Sequence, residues 1–118
     1  MAFKFEKLEI WQLAIDYVDL IYELTEKLPK DEKYNLKSQL RRAATSIALN
    51  IAEGSGKQSE KELGRFIEIS LGSAYETLAN LDILQSNKLI EQDNFYEAEK
   101  LIKEICKQLG AFKKKLDL

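Results

Sequence analysis

Apolar residues recur at spacings of three and four through almost the whole chain, and this periodicity limits what it can fold into. In the first such segment, Leu8, Trp11, Ile15, Val18 and Tyr22 share one helical face. Only one proline and five glycines interrupt the pattern, and no useful stretch alternates with the period of two that marks a strand. The sequence therefore predicts four helices and no strand. Their approximate ranges are residues 6–28, 32–53, 60–86 and 94–116.

Four long helices joined by short connections predict an all-α fold, an antiparallel up-down-up-down four-helix bundle. The 118 residues suffice for one core, so we expect a single domain over residues 1–118. The first residues lack the basic and apolar regions of a signal peptide, and no apolar run approaches the roughly 20 residues that span a bilayer. A cytoplasmic location without a membrane partner is the resulting expectation.

The composition excludes several kinds of chemistry. The chain has no histidine, which removes imidazole as a base or metal ligand and excludes the E-x-x-H pairs of di-iron bundles. Cys106 is the single cysteine, so no intrachain disulfide can form, and its apolar neighbours predict a buried, inert thiol. The net charge of −2 does not suggest a generic nucleic-acid binder. We expect no catalytic residue, no metal, no cofactor and no enzymatic activity.

The segment NIAEGSGKQSEKE, residues 50–62, has the two glycines and the lysine of a phosphate-binding loop. It fails both nucleotide motifs. Ile51 stands where G-x-x-x-x-G-K-[ST] requires glycine, and Gln58 stands where that motif requires serine or threonine. The dinucleotide pattern G-x-G-x-x-G fails at Ser59. A nucleotide site is therefore not predicted.

The same segment matches a turn between two helices. Gly54 is predicted to end the second helix as a C′ glycine in the left-handed conformation. Ser59 is predicted to cap the third helix and to form a capping box with Glu62.

Residues 43–52 of the second helix, AATSIALNIA, contain no charged side chain. A solvated helix rarely lacks charge for so long, and a single bundle would leave part of this segment in water, so we predict a homo-oligomer. Gly72 lies inside the third helix, where glycine costs roughly 1 kcal/mol relative to alanine, and a close helix contact would explain it. The candidate core or oligomer contacts are Ala44, Ile47, Ala48, Ile51 and Gly72.

Basic residues of the second and third helices form a candidate contact surface for nucleic acid or a partner. Lys33, Lys37 and Arg41 are spaced by four, and a further group lies near the start of the third helix, where the helix dipole suits an anion. The candidate residues are Lys37, Arg41, Arg42, Lys57, Lys61 and Arg65.

Two alternatives compete with this contact surface. The basic residues can be ordinary solvated side chains. Alternatively, Arg41 and Arg42 pair with acids of the first helix, within or between subunits. Those acids are Asp16, Asp19 and Glu23.

Four segments of the chain resemble a bacterial protein family. They are LEIWQLAIDYVDLIYELTEKLP, LKSQLRRAATSIALNIAEGSGKQS, FIEISLGSAYET and the lysine-rich last helix. The most specific parts are RRAATSIALNIAEG, residues 41–54, and LGSAYE, residues 71–76. Over nearly its whole length the chain is similar to the bacterial four-helix-bundle proteins, also called 23S rRNA-intervening-sequence proteins. Lys57 stands where arginine is expected in many members.

The resemblance implies an antiparallel four-helix bundle that assembles into rings, commonly pentamers, with no established enzymatic activity. Some members are encoded within insertions in 23S rRNA genes. A related branch, the accessory proteins of diversity-generating retroelements, binds reverse transcriptase and nucleic acid through a strongly basic surface, and this acidic chain departs from that branch. The expected function is a non-enzymatic homo-oligomeric scaffold or adaptor linked to RNA or DNA machinery. The alternative is direct, weak RNA binding by the basic residues.

Overall fold

A computed structural model describes residues 4–32 and 35–116 of the chain. Each helix packs against its neighbours in sequence, and the first packs against the fourth, so the helices form the predicted antiparallel bundle. Within the described residues, no helix combines the length and the apolar character needed to cross a lipid bilayer. The helices are α1 (Glu9–Glu26), α2 (Leu36–Ser55), α3 (Glu60–Ser86) and α4 (Gln92–Leu116).

The first two helices start later than predicted. Lys4–Lys7 and Lys30–Glu32 form 3-10 turns, and α1 and α2 begin at Glu9 and Leu36. A 3-10 turn has three residues per turn, so a spacing of three continues through it and looks α-helical in the sequence. Lys33, the first residue of the predicted basic stripe, lies outside the described residues.

The buried face of α1 is rotated relative to the face defined by the first apolar spacing. Tyr22 is 44% exposed, and the other members of that face lie at the border of the core. The neighbouring apolar stripe is buried instead, because α1 packs between α2 and α4 and the residues between those two contacts are covered most deeply. The buried members are Ile10, Ala14, Tyr17, Ile21 and Leu24.

All four helices contribute side chains to one core. The hydroxyl of Tyr17 on α1 donates a hydrogen bond to Thr77 Oγ1 on α3 at 2.9 Å. These two helices are not neighbours in the bundle, so the bond crosses the core. Fully buried apolar side chains around it include Ile21, Leu40, Ile47, Ile51, Ile67, Leu81, Leu84, Ile102, Ile105 and Leu109.

The predicted role of Gly54 is wrong. Gly54 lies inside α2, which continues to Ser55, and no glycine of the described residues has a positive φ. A Cβ placed on Gly54 would lie 2.8 Å from Phe66 Cβ and 3.2 Å from Leu63 Cδ1. Glycine is therefore needed because α3 approaches the backbone of α2 closely, and not because the chain turns there.

The start of α3 follows the prediction. The Ser59 side chain accepts a hydrogen bond from the backbone N–H of Glu62 at 3.1 Å, which satisfies one of the free N–H groups of the first turn. The left-handed residue that was expected at Gly54 occurs instead at the other end of α3. Lys88 has φ 58°, and its N–H and that of Leu89 bond to carbonyls of the last turn of α3, as in a Schellman motif.

Candidate functional site

The outward side of α2 borders a shallow groove of about 720 Å³. One end of the groove is basic, its middle carries hydroxyl and amide groups around Leu49, and Glu53 lies at the other end. We call this feature the α2 groove. Its lining residues are Tyr22, Lys37, Ser38, Arg41, Arg42, Thr45, Ser46, Leu49, Asn50 and Glu53.

Arg41 holds the end of α1 against α2. Its Nε donates to Thr25 Oγ1 at 2.8 Å, and its Nη2 donates to the carbonyl of Tyr22 at 3.1 Å. The guanidinium carbon also lies 4.4 Å from the centre of the Tyr22 ring. Thr25 is fully buried and its hydroxyl donates to the carbonyl of Ile21 at 2.6 Å, so the bond from Arg41 gives the Thr25 oxygen a charged donor as well.

The acid that pairs with Arg41 is Glu26, at 2.9 Å, and Lys37 lies 3.6 Å from the same carboxylate oxygen. The hydrogen bond from Arg41, and then the positive charge of Lys37, hold the pKa of Glu26 below its usual range. Within the described chain, the three acids predicted for this role are thus not the partners of Arg41. The chain reverses between α1 and α2, so the start of α2 faces the last turn of α1, where Glu26 lies.

Arg42 behaves differently from Arg41 although it is the next residue. The helical step turns its side chain away from α1, and it is exposed at the basic end of the α2 groove. It forms no ion pair or hydrogen bond with any residue in 4–32 and 35–116. Arg42 is therefore a charge that the described part of the chain does not neutralise.

The uncharged segment of α2 is mostly core within one chain. Ala44, Ile47, Ala48 and Ile51 are each at most 3% exposed. The side chain that the bundle leaves open is Leu49, which is 59% exposed and was not among the candidate contacts. The helical period indicates this exposure, because Leu49 lies two positions from both Ile47 and Ile51 and so points to the opposite side of α2.

Gly72 makes no close contact within the chain. No atom of another part of the protein lies within 4 Å of a Cβ built on this residue, and the residue is exposed. The predicted close helix contact is therefore not present within a single subunit. Ile69, Gly72, Ala79 and Ile83 are exposed on the outer face of α3, and the exposed acid Glu76 lies among them.

Hydrogen bonds between α2 and α3 fix the axial register of the two helices. Ser70 Oγ donates to the carbonyl of Ile47 at 3.0 Å, and the Ser73 hydroxyl donates to Ser46 Oγ at 2.9 Å. Because α2 and α3 are antiparallel, this register places Leu49 and Ile69 at the same level along the two helices.

The other basic residues form a separate group at the start of α3. Lys61 and Arg65 line one open pocket with Lys113, and Lys57 lines another with Lys115. The lysines at the end of α4 were not among the predicted contacts, and they join this group because antiparallel packing of α3 and α4 brings the start of one helix to the end of the other. The six candidate basic residues thus lie in two patches.

Acids lie among the basic residues of this second patch. Lys113 Nζ is 3.0 Å from Glu68 Oε1, and the same pocket is lined by Glu60 and Glu62. The Lys57 ammonium lies 5.1 Å from the centre of the Phe66 ring. The patch is consequently mixed in charge rather than uniformly positive.

Few side chains among the described residues are suited to metal binding or nucleophilic catalysis. No cluster of three or more histidine, cysteine, aspartate or glutamate residues within 4–32 and 35–116 is arranged to hold a metal ion. Cys106 is half-buried, and this burial raises the pKa of its thiol, which lowers the fraction of nucleophilic thiolate at neutral pH.

Comparisons with known proteins agree with the fold. A family model described as 23S rRNA-intervening sequence protein matches residues 6–111. A crystal structure from Bacteroides thetaiotaomicron VPI-5482, described as a protein of unknown function from the S23 ribosomal protein family, matches with 25% identity and a TM-score of 0.83, covering 89% of this chain and 98% of that one. No curated protein matches the chain. The chain belongs to the 23S rRNA-intervening sequence protein family.

Proposed function

We propose that this protein is a homo-oligomeric scaffold or adaptor that works through its surfaces rather than through catalysis. The observation that supports this function best is the exposure of Leu49, which is 59% exposed in the α2 groove. Ile69 on α3 is a further exposed apolar side chain, at 43%, and contiguous exposed apolar surface marks sites of protein–protein contact.

A second copy of the chain is the proposed partner, and a ring is the proposed arrangement. The family resemblance favours a pentamer among such rings. Small residues support a closely packed contact. Ser46 on α2 has a small side chain and Gly72 on α3 has none, so a partner can approach the backbones of these helices closely.

Light scattering of the purified protein at micromolar concentration tests this function. We expect a mass of several subunits for the wild type and a smaller mass for Leu49→Asp with an unchanged helical circular dichroism spectrum. Ile47→Asp is the contrasting variant, because Ile47 is fully buried and a carboxylate there should unfold the chain. A wild-type monomer would contradict the proposal.

Direct but weak RNA binding is the second candidate function. It is favoured by Arg42, Lys61 and Arg65, which are exposed and make no ion pair within the described residues. The family description names 23S rRNA, so structured RNA is the appropriate probe. The interspersed acids favour low affinity.

An RNA titration at about 50 mM salt tests this candidate, because phosphate contacts are strongest at low ionic strength. We expect affinity to fall steeply as salt is added and to fall further in the double variant Lys61→Glu with Arg65→Glu. The double variant Lys103→Glu with Lys107→Glu is the matched control for net charge, since these lysines lie on the exposed side of α4. Absence of wild-type binding at low salt would eliminate this candidate.

A further inference from the structure

The basic end of the α2 groove carries a positive charge that the described part of the chain does not pair. Lys37 and Arg41 are both within ion-pair distance of Glu26, whereas Arg42 is exposed and has no ion-pair partner in the described residues. A surface that docks at this end of the groove must therefore supply negative charge near Arg42.

The outward face of α1 carries the opposite charge. From Glu9 to Glu26 the helix contains five acids and no basic residue, and Glu26 alone of these acids forms an ion pair within the described residues. Asp16, Asp19 and Glu23 are exposed and are spaced by three and four, so they repel one another along one stripe. We call these three residues the α1 acidic stripe.

We infer that the α1 acidic stripe of one copy docks against the α2 groove of the next copy, with Asp19 opposite Arg42. This inference rests on the proposed self-association and identifies the two faces that meet. Each face supplies what the other lacks, because within the described residues Arg42 and the three acids of the stripe have no ion-pair partner. The contact relieves the repulsion among the acids and pairs Arg42 with a carboxylate.

The arrangement of the helices determines what kind of assembly follows. The two docking faces are different surfaces, so the contact is head-to-tail and each copy uses both faces. Each helix packs against two others, so α1 and α2 occupy neighbouring corners of the bundle and their outward directions differ by about 90°. In a closed ring, the directions from one copy to its two neighbours differ by about 90° when the ring has four copies and by about 108° when it has five. The angle of about 90° therefore corresponds to a ring of about four copies.

Charge reversal and its compensation test the docking pair. Sedimentation equilibrium of the full chain at about 0.15 M salt should show that Arg42→Glu and Asp19→Arg each raise the concentration of half-dissociation roughly tenfold or more. The double variant, Arg42→Glu with Asp19→Arg, should return it close to the wild-type value. Lys107→Glu and Glu97→Arg are matched controls, because both residues are exposed on α4 outside the pair, and they should leave association unchanged.

The possible results separate this inference from the function on which it rests. If the wild type is monomeric at micromolar concentration, the proposed self-association fails and the docking pair fails with it. If the wild type associates and either reversal leaves the association unchanged, the docking pair is wrong and self-association stands. Failure of the double variant to restore the association would also overturn the pairing. Circular dichroism of each variant verifies that the bundle is intact.

Discussion

The hydroxyl of Tyr17 donates a hydrogen bond to Thr77 Oγ1 at 2.9 Å and thereby joins α1 to α3 across the core. Thr77 donates in turn to the carbonyl of Ala74 at 2.8 Å, so both buried hydroxyl groups are paired. Burial raises the pKa of Tyr17 above its usual range, and the bond to Thr77 opposes this shift with a smaller effect. The bond links two helices that do not pack against each other.

Replacing Tyr17 by phenylalanine should lower the free energy of unfolding by about 0.5–1.5 kcal/mol at pH 7, because one buried hydrogen bond is lost while the ring remains. Thr77 keeps its bond to Ala74, so no buried donor is left without an acceptor. Urea unfolding followed by circular dichroism measures the difference. Equal stability of Tyr17→Phe and the wild type would show that the bond contributes nothing.

The raised pKa of Tyr17 should also make the protein less stable at alkaline pH. The folded state disfavours the phenolate, so the stabilisation is complete below the unfolded pKa of about 10 and is lost as pH rises above it. Urea unfolding between pH 7 and about pH 11 should show a smaller alkaline loss in Tyr17→Phe than in the wild type. Parallel curves for the two proteins would contradict this assignment.

Two glycines on packed helices should respond in opposite directions to substitution. Gly54→Val should lower the free energy of unfolding by about 1–3 kcal/mol, because its Cβ would collide with Phe66. Gly72→Ala should raise it by up to about 1 kcal/mol in the dissociated protein, because the methyl group enters open space in the single chain and alanine favours the helix. Thermal unfolding measures both. A stable Gly54→Val variant would show that α2 and α3 can separate without cost.

Arg41 and Arg42 are adjacent in sequence and should differ in their effect on stability. Arg41→Met should lower the free energy of unfolding by about 1–3 kcal/mol, because the buried Thr25 hydroxyl and the Tyr22 carbonyl lose a charged donor. Arg42→Met should change it by less than about 0.5 kcal/mol in the dissociated protein. Urea unfolding of both variants at low protein concentration measures the difference, and equal effects would contradict the structural role of Arg41.

The pKa of the Glu26 carboxyl group should change when Arg41 is replaced. Arg41 is the main cause of its lowered pKa, so Arg41→Met should shift that pKa upward toward the ordinary value, and Lys37 should preserve part of the shift. The lowered pKa stabilises the fold above the unfolded pKa, and this contribution disappears as pH falls through the folded pKa. An NMR titration of the Glu26 side chain measures the shift. Arg42→Met should leave the titration unchanged.

Lys88 adopts a conformation that favours glycine, with φ 58° at the end of α3. Lys88→Gly should raise the free energy of unfolding by about 0.5–1 kcal/mol, because relief of the left-handed strain exceeds the added freedom of the unfolded chain. Lys88→Val should lower stability, since a β-branched side chain is strained there. Thermal unfolding that ranks the valine variant above the glycine variant would refute the assignment of a left-handed cap.

The ends of the helices show which structural features local sequence can predict and which it cannot. The range of α3 and its Ser59 cap were predicted correctly, because a cap depends on a few adjacent residues and on hydrogen bonds among them. The end of α2 was not predicted correctly, because glycine can serve two purposes. It permits a left-handed turn and it permits close packing, and the sequence around Gly54 does not distinguish the two. The position of Phe66 on another helix decides between them.

The helical class, the number of helices and the absence of histidine chemistry follow from the amino-acid sequence alone, because periodicity and composition are local properties of the chain. Of the residues that line the α2 groove, the sequence pattern indicated Lys37, Arg41 and Arg42 as candidate contacts. The packing of the helices determines that Arg41 pairs with Glu26 while Arg42 has no ion-pair partner in the described residues, and that Ile47 is buried while Leu49 is exposed. The physical reason is that neighbouring side chains on a helix point about 100° apart, and the neighbouring helices determine which of those directions is covered.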